Sequence, residues 1–114
     1  MAAVVGKVVL EQLASQMIAE GYSVAKNVLY EALNSGSFSR SSPEIGSLWI
    51  TDLSGTWGLQ NGKVMSAYYH PTKNHTATTV GKNGQKRSAA AKGTWAVSIQ
   101  TRAAFGNKAY YNHI

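Results

Sequence analysis

Thr94-Trp95-Ala96-Val97-Ser98-Ile99-Gln100-Thr101 alternates without a break. In an extended chain Trp95, Val97, Ile99 and Thr101 share one face, and Thr94, Ala96, Ser98 and Gln100 share the other. The period of two predicts a β-strand with Trp95 in a core. Working outward, Val64 to His70 repeats the pattern, setting Val64, Ser66 and Tyr68 against Met65, Ala67 and Tyr69 until Pro71 ends the run. His75 to Val80 is threonine-rich and extended, and Gly81-Lys82-Asn83-Gly84 turns the chain. Asn61-Gly62 suits a tight hairpin turn, and Phe105-Gly106-Asn107-Lys108 makes a last turn before Ala109 to His113. Leu48-Trp49-Ile50-Thr51 and Thr56-Trp57-Gly58-Leu59 read as further short strands. Strands at this spacing predict a mainly β protein, a small antiparallel β-sandwich or barrel.

The chain before these strands has a different period. Val5, Val9, Leu13 and Met17 recur every fourth residue, and Val24, Val28, Leu29 and Leu33 continue the stripe beyond Gly21. Two helices, or one kinked at Gly21, are expected, ending near Ser35-Gly36. The expected organisation is an amphipathic helical segment over 1–35, a Ser/Gly linker over 36–47 broken by Pro43, and a β-sandwich domain over 48–114. A β-unit of roughly sixty residues without disulfide or metal is marginal alone. The apolar stripe is therefore expected to cover the β-unit, a neighbouring subunit, or both.

Charge divides the chain again. The formal net charge is +6, yet every acid (Glu11, Glu20, Glu31, Glu44 and Asp52) precedes the last sixty residues or so, where only cations and the three histidines ionise. Such a block favours polyanionic partners: nucleic acid, anionic lipid or a phosphate-rich bacterial envelope. With no cysteine, thiolate metal sites and disulfides are excluded. No apolar run is long enough to span a bilayer, and the start does not read as a signal peptide.

Catalysis finds little support, because acid–base pairs, Ser-His-Asp sets and carboxylate metal sites need an acid beside the reacting centre. Gly81 to Lys86 lacks the glycine spacing of a phosphate loop and reads as a hairpin turn. His70 and His75 would need His113 to complete a metal site, and structural or surface roles are expected instead. No cofactor and no metal are expected. Tyr68 and Tyr69 point to opposite faces of a strand, as do Tyr110 and Tyr111, so one of each pair is expected buried and the other displayed. Displayed tyrosines beside lysines suit a sugar, a phosphate or a lipid head group.

Gly55-Thr56-Trp57, Ser66-Ala67-Tyr68-Tyr69-His70, Lys73-Asn74-His75-Thr76-Ala77-Thr78 with Val80, Gly93-Thr94-Trp95-Ala96 and the closing Tyr110-Tyr111-Asn112 follow one another in this order. In order and spacing they resemble the lactococcin 972 family of bacteriocins, from Gly55 to Ile114. The resemblance implies a small secreted β-sandwich, exported by Gram-positive bacteria to kill relatives by engaging a cell-wall precursor at the septum. It supplies no catalytic residue.

The expectation is thus a bacteriocin-like antibacterial toxin, not an enzyme, that binds a cell-wall precursor or another anionic envelope polymer. Tyr68, Tyr69, His70, Lys73, His75, Lys82 and Lys86 are the expected ligand-binding residues. A homo-oligomer through the N-terminal helices is expected as well. The alternatives are a self-assembling structural protein that displays the β-domain, and a nucleic-acid-binding module.

Overall fold

The computed structural model describes residues 7–19, 39–53 and 62–114. The stripe beyond Gly21, the break at Gly21 and the strand expected over Thr56–Leu59 lie outside them. The described chain is one helix, α1 (Lys7–Ala19), followed by strands β1 (Ser39–Ser41), β2 (Leu48–Asp52), β3 (Lys63–Tyr69), β4 (His75–Gly81), β5 (Gly84–Ala90), β6 (Trp95–Thr101) and β7 (Lys108–His113). Antiparallel pairing gives a four-stranded sheet in the order β1-β2-β3-β6 and a three-stranded sheet in the order β5-β4-β7. The mainly β class expected from the alternation is the class observed, with a helix before the strands.

The two faces of the four-stranded sheet differ in chemistry. Leu48, Ile50, Met65, Ala67, Trp95, Val97 and Ile99 form one apolar cluster with Leu10, Leu13, Ala14 and Met17 of α1. The helix lacks glycine and proline after its start, and those four residues, at the i, i+3, i+4, i+7 spacing, are at most 2% exposed. Each large aliphatic side chain buried this way contributes about 1.5–3 kcal/mol. For the described part of the stripe, the surface it covers is the chain's own sheet.

The other face meets the three-stranded sheet, and there a smaller apolar cluster of Tyr68, Ala77 and Ala96 is mixed with paired polar groups. Thr79 Oγ1 and Ser98 Oγ lie 2.8 Å apart, and Ser98 donates to the Lys86 carbonyl at 2.8 Å. Each hydroxyl has one proton, so Thr79 is the donor to Ser98. Gln100 Nε2 donates to Gly84 O at 2.8 Å and to Thr79 Oγ1 at 3.1 Å, while its Oε1 accepts from Asn83 N at 3.1 Å. Nearer the other end, Trp49 Nε1 donates to Ser66 Oγ and Ser66 to Tyr110 O, both at 2.9 Å. Buried polar groups are tolerated here because they are paired.

Two strands occur where none was expected. β1 lies in the stretch read as a linker, and β5, Gly84-Gln85-Lys86-Arg87-Ser88-Ala89-Ala90, has no β-branched residue at all. β5 exists because the hairpin brings it alongside β4, with Gly84 at φ +82° closing the turn at Lys82-Asn83. Its charged, exposed residues suit an edge.

Candidate functional site

The chain crosses between sheets at His70–Asn74 and returns at Ala91–Thr94, and these crossovers meet at one corner. Gly93 N donates to His70 O at 2.8 Å, and Lys92 N to Asn74 Oδ1 at 3.1 Å. His75 is fully buried, with its ring nitrogens 2.8 Å from the carbonyls of Lys73 and Thr94. His70 Nδ1 accepts from the backbone N–H groups of Thr72 and Lys73, at 3.2 and 3.1 Å. The ring proton therefore sits on Nε2, which donates to Glu44 Oε1 at 2.5 Å.

Glu44 gathers more than one side chain. Lys73 Nζ lies 3.4 Å from its Oε1, and His113 Nε2 lies 3.0 Å from its Oε2. The His70 hydrogen bond foremost, then Lys73 and His113, hold the Glu44 carboxyl below the usual glutamate range despite an opposing desolvation. The rings of His70 and His113 are 5.8 Å apart, and those of His70 and His75 6.3 Å apart. Both ring nitrogens of His70 and His75 are committed to backbone and carboxylate, and among the described residues no set of three ligands could hold a metal ion.

Tyr68 stands under this corner, wholly buried, with its ring centroid 5.4 Å from that of His75 in a T-shaped contact and 4.9 Å from that of Tyr111 in a tilted one. Its hydroxyl makes no hydrogen bond of good geometry among the described residues, although the Ser47 side chain lies near enough to favour its anion slightly. Burial dominates and pushes its pKa up.

The expected binding residues therefore separate. Tyr68, His70 and His75 are interior. Tyr69 is half-buried, packed on the helix-side cluster with its ring 5.6 Å from Trp95. Neither member of that pair is freely displayed. Lys73 is exposed but engaged by Glu44. Lys82 is exposed on the β4–β5 turn, at the far end of β4 from His75. Seven residues of strand put these ends roughly 20 Å apart, so the corner and the turn are not one site. Lys86 spends its ammonium on Ile99 O at 2.9 Å. The second tyrosine pair also departs from expectation, since Tyr110 is 48% and Tyr111 39% exposed. β7 is a sheet edge, and Tyr111 only half covers itself by leaning on Trp49 at 4.6 Å.

What the sequence reading missed lies on the outer face of the three-stranded sheet. Thr78 pairs with Arg87 on one side and Tyr110 on the other, and Thr76 pairs with Asn112. A shallow groove of about 340 Å³ runs over these residues and Gln85. Tyr110 is in the predicted strand, but Arg87 sits in a strand with no strand-like composition.

A family model described as Bacteriocin (Lactococcin_972) matches residues 54–111. Among solved structures the chain is similar to one titled Lactococcin 972, at 25% sequence identity and a TM-score of 0.46, over 60% of this chain and 98% of that one. Comparison with curated proteins finds no match.

Proposed function

The chain belongs to the lactococcin 972 family of bacteriocins, and from that premise we propose that it is a secreted antibacterial protein that binds an anionic envelope target, a cell-wall precursor, without catalysis. The observation that carries this reading is the family match itself, which spans nearly all of the acid-free half. Exposed Lys82, Arg87 and Lys108 on that half favour a phosphate-bearing ligand. Binding is preferred over chemistry because His70, His75 and Glu44 are occupied in holding the corner together. Self-assembly through the described part of the helical stripe is disfavoured, since Leu10, Leu13, Ala14 and Met17 are already spent on the chain's own sheet.

The test applies the full purified chain to growing Gram-positive cells and to vesicles with and without cell-wall precursor. Septum-centred arrest, with vesicle binding that needs precursor and weakens with salt, is the expected result. Absence of both growth arrest and precursor-dependent binding would overturn the reading.

A further inference from the structure

The register of the three-stranded sheet sets Arg87, Thr78 and Tyr110 in one row across its outer face, since Thr78 is the partner of both. Thr79 and Ala77 of the same strand are fully buried against the other sheet, which fixes Thr76 and Thr78 on the opposite side. Two strand spacings put the Cα atoms of Arg87 and Tyr110 about 10 Å apart, room for one pyranose ring and a charged substituent. Arg87 is exposed and has no ion-pair or hydrogen-bond partner among the described residues. Tyr110 offers a half-exposed ring, and Thr76 and Thr78, 9% and 8% exposed, line the floor between them. Asn112 and Gln85 close the two ends with amides. No acid lines the groove.

We propose that this groove binds an acidic hexopyranose, with the sugar face on Tyr110 and its carboxylate or phosphate on Arg87. An aromatic face takes the apolar side of a pyranose ring, threonine and amide groups take ring hydroxyls, and the guanidinium fork takes a two-oxygen anion. An ammonium such as Lys82 would supply charge without that fork. The proposal rests on the envelope-binding reading and deepens it by naming the surface and the ligand's chemistry.

The experiment titrates the full chain with glucose, glucuronate, glucose 6-phosphate and inorganic phosphate, following amide resonances. Glucuronate or glucose 6-phosphate should shift Thr76, Thr78, Arg87 and Tyr110 together, and bind more tightly than glucose or phosphate alone. Which acidic sugar binds better separates a carboxylated from a phosphorylated ligand. Arg87→Ala should weaken the acidic sugars roughly tenfold and leave glucose unchanged. Tyr110→Ala should weaken all three sugars, and Lys92→Ala, an exposed cation off the groove, none. Phosphate binding as tightly as glucose 6-phosphate, shifts elsewhere on the molecule, or no shift would overturn the assignment. If groove variants still bind precursor-bearing vesicles like the native chain, the groove fails while the envelope reading stands. Loss of vesicle binding in the native chain is the separate failure of that reading.

Discussion

The side-chain amide of Gln16 donates a 2.9 Å hydrogen bond to the carbonyl oxygen of Trp95, a residue 79 positions away. That bond pins α1 across the start of β6, beside the ring that anchors the apolar cluster. The helix is thus part of the β-unit's own core. Leu13→Ala should lower unfolding free energy by about 2–5 kcal/mol, and Gln16→Ala by about 1 kcal/mol. Denaturant titration decides it: midpoints unchanged in both variants would mean that the helix adds nothing to the sheet.

Gly81 is required for close approach. A Cβ there would lie 2.7 Å from Thr101 O and 2.8 Å from Gln100 Oε1. Neither can retreat easily, because Thr101 O also accepts from Lys82 N at 3.0 Å and Gln100 is fixed by its hydrogen bonds. Gly81→Ala should cost about 1–3 kcal/mol. Gly84→Ala makes a useful comparison, since that position has open space but a φ of +82°. A Gly81→Ala protein as stable as the native one would show that the β4–β6 contact is looser than described.

Glu44 gives the fold an acid limit. Its native pKa lies below the unfolded one, so its contribution is complete above the ordinary glutamate range and is lost as pH falls through the lowered native value. Stability measured against pH should fall on that limb in the native protein and flatten there in Glu44→Gln. An identical acid limb in the variant would remove Glu44 from the account.

Tyr68→Phe should leave stability equal or raise it, by about 1 kcal/mol, because the hydroxyl is buried without a well-formed hydrogen bond among the described residues. A clear loss of stability would mean that the hydroxyl bonds in solution to a group such as Ser47.

The strands with alternating residues were legible in the sequence, and so were the turns at Pro71 and Gly81–Gly84. The role of their polar faces was not. Ser66, Ser98 and Gln100 look like solvent-facing positions, and only a second sheet supplying Tyr110 O, Thr79, Lys86 O and Gly84 O makes them interior. β5 is invisible to propensity because pairing, not composition, makes it a strand. Of the candidate site, the closeness of His70 and Lys73 could be read from their spacing. Glu44 arrives from the stretch read as a linker, and the groove depends on a register that joins Arg87 and Tyr110 through Thr78.

The polar layer between the sheets has a consequence for how the chain finds its alignment. Sliding a strand by one position turns its apolar residues to the wrong face, so hydrophobicity alone rejects every odd misalignment. A slide of two positions keeps the apolar face correct and would pass that check. It would not pass the polar one: Gln100 would miss Gly84 O, Ser98 would miss Lys86 O, and Ser66 would lose Tyr110 O. Each miss leaves a desolvated group alone. The layer acts as a vernier, reading the even steps to which the greasy face is blind.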